Sequence, residues 1–310
     1  MATAVARLRT LASSSLAPIR FLWIASASCA SLFVVITSGA FVRLTGSGLG
    51  CENWPRCGDK PYPERDFHAF VEFGNRMVAL VGLTLALVTW LASRRTSGLS
   101  TVGRYAAGAT FLVVVAQIPL GAITIAVDLH PLAVMAHFLL GLVALALAVV
   151  VALEAWLLVD GRALAVDPRW LRQLVVFAGL PACAALVVTG AVATASGPHP
   201  GADEQVERLG MAIADTVYIH VRVAAVFGIG VLLVGFVLVR ARDRYRGVFR
   251  LWALLLGVLT AQAVLGEIQY RSALPWGLVL VHVALAAAIW GLSVALAYVL
   301  WRPPARLARQ

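Results

Sequence analysis

The segment QIPLGAITIAVDLHPLAVMAHFLLG, at residues 117–141, recurs later in the chain as QAVLGEIQYRSALPWGLVLVHVALA, at residues 262–286. Both copies begin with the pattern Gln-x-x-Leu-Gly, and both place a histidine, His137 or His282, 20 residues after the glutamine. Chance similarity between two apolar segments is a poor explanation for a shared motif with a shared spacing. The sequence therefore predicts two related halves, offset by 145 residues in this region.

The composition is that of a membrane protein. Of the 310 residues, 61% are hydrophobic and only 13% are charged, well below the charge content of a soluble domain. A helix needs about 20 apolar residues to cross a bilayer, and eight such segments can be placed. They lie at about residues 21–42, 70–92, 105–127, 132–159, 171–195, 215–239, 251–268 and 277–301. The predicted fold class is an all-α integral membrane protein with eight transmembrane helices and short loops.

The arginines predict the orientation of these spans. The two tails and the loops after spans 2, 4 and 6 hold 17 Lys and Arg residues, whereas the other four loops hold 6. By the positive-inside rule, both termini are cytoplasmic. The net charge of +10 is thus mostly a topology signal, and a nucleic-acid partner is not expected. The start MATAVARLRTLASSSLAPIR would also fit an organelle transit peptide, but a cytoplasmic tail in a bacterial cell membrane is the favoured interpretation.

The repeat divides the spans into two groups of four. A weaker match between TSGAFVRLTGSG (37–48) and VTGAVATASGPH (188–199) extends it towards the start of each half. Because each half has an even number of spans, both enter the membrane from the same side, as in a parallel tandem repeat. The prediction is two pseudo-symmetric four-helix bundles. The predicted regions are a cytoplasmic tail (1–20), an N-terminal bundle (21–159) with an external loop (43–69), a C-terminal bundle (160–301) and a second cytoplasmic tail (302–310).

Three histidines lie inside apolar spans. His137, His220 and His282 each fall about five residues, or about 8 Å, from the outer end of their helix. Intramembrane histidines are costly and usually face a bundle interior. Two imidazoles on facing helices suit haem iron, whereas zinc would need further ligands. We therefore expect His220 and His282 to bind a haem towards the outer face, with Arg222 available to a propionate; hydrogen bonding between helices is the alternative role.

The N-terminal half offers a different set of groups. The 145-residue offset maps His220 onto Asn75, so that an amide, rather than a second imidazole, accompanies His137. Glu72 has no counterpart in the second half. We expect a looser, substrate-binding site at His137, Asn75 and Arg76, with the added carboxylate of Glu72 one helical turn from the ligand position. The alternative is a purely structural ion pair between Glu72 and Arg76, which are four residues apart on one helix.

Two cysteines lie in the first external loop. Cys51 and Cys57 are six residues apart in a stretch rich in glycine and proline, on the oxidising side of the membrane, where a disulfide is favoured. Such a disulfide would either staple the loop or act as a dithiol that passes electrons, since short exposed disulfides are often labile. The sequence leaves both roles open.

These features together resemble the haem A synthase family. The resemblance rests on GAFVRLTGSGLGCENWPRC, VEFGNR, QIPLG…AHF and QAVLG…LPWGLVLVH in an eight-span repeat, and it covers about residues 20–302. It implies two joined four-helix bundles, in which the C-terminal half holds haem b. The N-terminal half would take haem O and oxidise a ring methyl to a formyl group, giving haem A for cytochrome oxidase.

The resemblance also implies roles for individual residues. His220 and His282 would ligate haem b, and His137 would ligate the substrate iron. Glu72 matches the essential carboxylate of the family, and the two loop cysteines match its external cysteine pair. Known members carry a second histidine where this chain has Asn75, and an amide is a poor iron ligand. We therefore predict a substrate haem held by His137 alone or with a water molecule.

The implied partners are haem O, delivered by haem O synthase, an electron acceptor of unknown identity, and membrane lipid; a homo-oligomer is a further option. The alternative function is a haem b-containing membrane oxidoreductase acting on quinones or thiols. Asn75 argues against two equivalent electron-carrying haems, and a thiol enzyme leaves the three intramembrane histidines unexplained. A transporter would usually carry broken helices at mid-membrane, whereas the polar groups here lie near the outer face.

Overall fold

The protein is described from a computed structural model. It describes residues 15–51, 54, 56–58, 62, 63, 65–202 and 206–308. Most of the predicted tail at 1–20, parts of the loop at 43–69 and residues 309–310 therefore lie outside the described residues.

Eight helices in the described part of the chain are long and apolar enough to cross a membrane. They are α1 (Pro18–Leu44), α2 (Phe67–Arg95), α3 (Thr101–Ala126), α4 (Pro131–Asp160), α5 (Arg169–Ser196), α6 (Ile213–Arg240), α7 (Arg246–Arg271) and α8 (Trp276–Trp301). A short helix, α9 (Ala305–Ala308), follows. Each of the eight coincides with a predicted span to within a few residues, so the all-helical, eight-span prediction is confirmed.

Local sequence sets several helix ends. The side chain of Asp66 accepts a hydrogen bond from Ala69 N (3.0 Å) at the start of α2, and Ser100 Oγ accepts one from Gly103 N (3.0 Å) at the start of α3. Both satisfy backbone donors that the first helical turn leaves free. Helix α5 contains a π turn at Val175–Gly179, just before Pro181. Proline cannot donate to the carbonyl four residues earlier, which here belongs to that turn.

The helices pack as two rings of four. Within the first half, α1 contacts α2 and α4, and α3 contacts α2 and α4. Within the second half, α5 contacts α6 and α8, and α7 contacts α6 and α8. Helix α8 also packs against α1 and α4, so it forms most of the contact between the halves. This arrangement places the inner face of each ring around its own intramembrane histidines.

One backbone feature occurs at corresponding positions in the two halves. The α3–α4 connection contains Asp128 and Leu129 with φ of 49° and 58°, and the α7–α8 connection contains Ala273 and Leu274 with φ of 58° and 59°. Non-glycine residues rarely adopt this left-handed conformation. In both connections the second residue donates its N–H to a carbonyl five residues earlier, at 2.8 Å. The two pairs are separated by the 145 residues that separate His137 from His282.

Candidate functional site

His220 of α6 and His282 of α8 face each other inside the second ring. Their ring centroids are 6.4 Å apart, and the rings are inclined at 61°. Metal–imidazole bonds of about 2.0 Å place the ring centres of two opposed ligands about 6 Å apart. The structure thus brings together the two histidines that the sequence pairs, at a spacing that fits one metal atom between them.

Hydrogen bonds indicate which ring nitrogen of His220 is free to bind a metal. Its Nδ1 lies 3.1 Å from Oγ1 of Thr189 on α5. That hydroxyl donates its own proton to the carbonyl of Ala185 or Leu186, at 2.9 and 3.0 Å. The hydroxyl oxygen must therefore accept from the Nδ1–H of His220, which leaves Nε2 unprotonated and free to bind a metal. Thr189 is a functional residue that the sequence analysis missed.

The Gln-x-x-Leu-Gly motif now has a physical explanation. Gln262 donates through Nε2 to the carbonyl of His282 (3.0 Å), and Gln117 donates to that of His137 (3.1 Å). The glycine of each motif lies against the imidazole that its glutamine holds. A Cβ at Gly266 would lie 3.2 Å from His282 Cε1, and one at Gly121 would lie 3.3 Å from His137 Cε1. The motif therefore anchors the backbone of each histidine and leaves room for its ring.

The first ring differs at Asn75. Ser38 Oγ on α1 donates to Asn75 Oδ1 on α2 (2.7 Å), whereas Thr189 Oγ1 on α5 accepts from His220 on α6. Gly190, which follows Thr189, lies against the His220 ring, since a Cβ there would be 3.0 Å from Cε1. A Cβ added at Gly39, which follows Ser38, would meet no atom within 4 Å. The shorter asparagine thus leaves open the space that an imidazole fills in the other half.

Glu72 is buried, with 4% of its surface exposed. One carboxylate oxygen pairs with the Arg76 guanidinium, which is the ion pair that the sequence analysis gave as the alternative. The other accepts a hydrogen bond from the backbone N–H of Cys51, at 2.8 Å. Arg76 also donates to the carbonyl of Arg56, at 2.7 Å. The carboxylate is therefore attached to the external loop, a contact that no pattern in the sequence indicated.

Cys51 and Cys57 form a disulfide, which confirms the predicted pairing. The two residues are only 4% and 6% exposed, and they pack with Ala69 and Phe73 at the start of α2. The expectation of an exposed disulfide is therefore wrong. The physical reason is that both cysteines pack against the first turns of α2.

Arg222 is not directed towards the histidine pair. It is exposed, and its guanidinium carbon lies 3.1 Å from the centre of the Tyr218 ring. Residues two positions apart on a helix point to nearly opposite sides, so His220 and Arg222 face different surroundings. Its predicted role in cofactor binding stays a prediction.

A cavity of about 620 Å³ opens at one end of the second ring, between the ends of α5 and α7 and the start of α6. Its lining includes Arg208, Ile213, Tyr270 and Leu274. Burial lowers the pKa of Arg208, and no hydrogen bond or ion pair is found for it within the described residues. A positively charged group thus lines the entrance to the ring that contains His220.

Fold and site together define a multi-pass helical membrane protein with histidines paired inside one four-helix ring and a buried carboxylate beside the other. The model of the cytochrome oxidase assembly protein family (COX15-CtaA) matches residues 22–294. The chain therefore belongs to that family, and the predicted resemblance to the haem A synthase family is confirmed.

Individual relatives match over shorter stretches. The chain is 38% identical over 115 residues to the heme A synthase of Symbiobacterium thermophilum, which covers 36% of this chain and 37% of that protein. It is 30% identical over 105 residues to the heme A synthase of Geobacillus thermodenitrificans, covering 34% and 33%. For the heme A synthase of Bacillus pumilus the identity is 28% over 127 residues, covering 39% and 40%. The matched stretches thus span between a third and two fifths of these relatives.

Proposed function

We propose that this protein is a haem A synthase, which oxidises a ring methyl of haem O to a formyl group. The observation that carries the proposal is the unequal pair of sites: two opposed imidazoles in one ring, and one imidazole with an amide and a buried carboxylate in the other. Relatives named heme A synthase support it. An enzyme of this kind needs one site that carries electrons and another that accepts a substrate.

The second ring would hold haem b. His220 and His282 would be its two ligands, with His220 presenting Nε2, and the haem would supply electron transfer. Two observations support a metal between the two imidazoles: the separation of 6.4 Å between the ring centroids, and the hydrogen bond to Thr189 that sets the tautomer of His220. Gln262 and Gly266 would keep His282 in place.

The first ring would take haem O as substrate, with His137 as the iron ligand. Oxidising a methyl group to a formyl group with water as the oxygen source releases four electrons and four protons. Glu72 would accept a proton from the attacking water or stabilise positive charge on the substrate. Arg76 holds the carboxylate in one orientation. The electrons would pass to an acceptor outside the chain.

We further propose that the two rings are a tandem repeat, comprising residues 21–159 and 160–301, with both termini in the cytoplasm of a bacterial cell. The recurrence of left-handed residues 145 positions apart supports the repeat, and the arginine distribution supports the orientation. The histidines would then lie towards the outer face.

The test is the pigment content and product of the purified protein. Expressed in a host that makes haem O, the wild-type protein should yield haem b and haem A on extraction and chromatography. The Glu72→Gln variant should keep haem b and yield no haem A. Glu267→Gln removes a carboxylate from a comparable Glu–Arg pair that is exposed on α7, and it should behave as wild type.

Two outcomes would overturn the proposal. Haem A production by the Glu72→Gln variant would remove the catalytic role of the carboxylate. Haem b in the wild-type protein, with quinone or thiol turnover and no haem A, would instead identify a haem b-containing oxidoreductase.

A further inference from the structure

The carboxylate of Glu72 is held by the external loop as much as by its own helix. One oxygen pairs with Arg76 and the other accepts from the backbone N–H of Cys51. A buried carboxylate is costly unless it is paired and hydrogen-bonded. The Cys51 N–H is therefore part of what keeps the Glu72 carboxylate in place.

The loop is also held at its other end. Arg76, one turn after Glu72, donates to the carbonyl of Arg56, which precedes Cys57 in sequence. Two neighbouring side chains of α2 thus bind both ends of the ring of residues 51–57 that the disulfide closes. The disulfide keeps the Cys51 N–H and the Arg56 carbonyl close enough together for one Glu–Arg pair to bind both.

Gly50 brings the loop backbone against α2. A Cβ at this position would lie 2.4 Å from the carbonyl carbon of His68 and 2.5 Å from its oxygen, so any other residue would force the backbones apart. The start of the loop is therefore docked on the first turns of α2 through main-chain groups.

We propose that the Cys51–Cys57 disulfide is a redox-dependent positioning device for Glu72. In the oxidised loop, the Cys51 N–H and the Arg56 carbonyl hold the Glu72–Arg76 pair. Reduction by an external dithiol breaks the S–S bond, adds two electrons and two protons, gives two thiols, and oxidises the donor to its own disulfide. The opened loop releases the Cys51 N–H, and Glu72 loses the bond that fixes it. Only the catalytic consequence of this release rests on the proposed function.

Thermodynamic reciprocity provides a test that needs no haem chemistry. If closing the disulfide favours the held carboxylate, the held carboxylate must favour the disulfide by the same factor. The experiment equilibrates the purified full-length protein with graded ratios of reduced and oxidised dithiothreitol. Peptide-resolved alkylation and mass spectrometry then give the reduced fraction of Cys51 and Cys57, separately from Cys29 and Cys183.

In Glu72→Gln the loop should be easier to reduce. The bond that is lost joins the Cys51 N–H to a carboxylate, which is a strong kind of hydrogen bond. The thiol–disulfide equilibrium constant should therefore shift about tenfold, or about 30 mV for this two-electron couple. Arg76→Gln should shift it in the same direction. Glu267→Gln, the matched control on α7, should leave it unchanged.

A second measurement detects the change in hydrogen bonding of the Glu72 carboxylate directly. Infrared difference spectra between the oxidised and reduced protein should contain a carboxylate band that is absent from Glu72→Gln. A circular dichroism spectrum and a gel-filtration elution volume that match those of the wild type show that each variant has folded. An equilibrium constant that is identical in wild type and Glu72→Gln, or no carboxylate band, would overturn the coupling. If the wild type makes no haem A but the tenfold shift is found, the proposed function fails and the coupling stands.

Discussion

Asn75 and His220 each bond to a hydroxyl group of the preceding helix, but they offer different chemistry to an iron atom. Asn75 pairs with the Ser38 hydroxyl and His220 with that of Thr189. An imidazole nitrogen is a good haem ligand, whereas a carboxamide is a poor one. The iron of a bound substrate would thus be held more weakly in the first ring than a cofactor iron in the second. Weaker binding suits a site that must release its product.

Replacing Asn75 with histidine should convert this site into a second tight haem site. The open space beside Gly39 can accommodate the larger ring, so we expect Asn75→His to fold. On loading with haem O, wild type should add a high-spin signal with His137 as sole protein ligand, and Asn75→His should add a low-spin, two-histidine signal. Electron paramagnetic resonance before and after loading separates this signal from that of haem b.

Asn75→Leu is the matched control, because it cannot ligate iron but removes the bond to Ser38. It should give the same high-spin signal as wild type. A low-spin, bis-histidine signal already present in loaded wild type would contradict the prediction, since a histidine from elsewhere would then occupy the Asn75 side.

At the scale of the helices, α1 and α5 differ in what their glycines contact. Gly190 of α5 lies against the His220 ring, whereas Gly39 of α1 faces open space. Alanine favours a helix over glycine by about 1 kcal/mol, so alanine should stabilise both helices if it fits. If alanine at position 190 lowers stability or haem binding, the loss must therefore come from its contact with the His220 ring.

Gly190→Ala should accordingly lower haem b content. The new methyl group would press on Cε1 of His220 at 3.0 Å, and the bond to Thr189 limits how far the ring can move. Gly39→Ala is the control and should retain haem b at the wild-type level. The ratio of haem absorbance to protein measures both, and an undiminished ratio in Gly190→Ala would show that His220 can shift without losing its iron.

The same comparison shows how far the sequence could predict the site. The spans could be placed from the sequence because each is a long apolar segment, which is a local property. The recurring glutamine–histidine spacing identified His137 and His282. By contrast, the hydrogen bond from the Cys51 N–H to Glu72 uses a main-chain group. Every residue type except proline carries such a group, so the amino-acid sequence does not indicate which one will bond to Glu72. The contact between Thr189 and His220 could not be predicted either, since one threonine in an apolar helix forms no distinguishing pattern.

At the scale of the whole molecule, polar bonds join the two halves near both membrane faces. At one end Arg43 of α1 donates to the carbonyls of Thr194 and His199, each at 3.0 Å. At the other end Glu154 of α4 pairs with Arg302, at 3.0 Å, and accepts from Tyr298 of α8. Such bonds fix the halves in one relative orientation, which any electron transfer between their sites would require.

The Glu154–Arg302 pair allows this link to be tested by a double-mutant cycle. The Glu154 side chain is only 2% exposed, so Arg302→Gln leaves a buried carboxylate without its cation and should cost about 3 kcal/mol. Removing both charges, in Glu154→Gln with Arg302→Gln, should cost less than the sum of the single changes, because the two amides can still bond to each other and to Tyr298. The midpoint of thermal unfolding in detergent measures the stability of the two single variants and the double variant.

Arg271→Gln is the control, because it breaks the exposed pair with Glu267 and should change the unfolding midpoint little. Strictly additive losses would mean that Glu154 and Arg302 stabilise their own helices separately and do not hold the halves together.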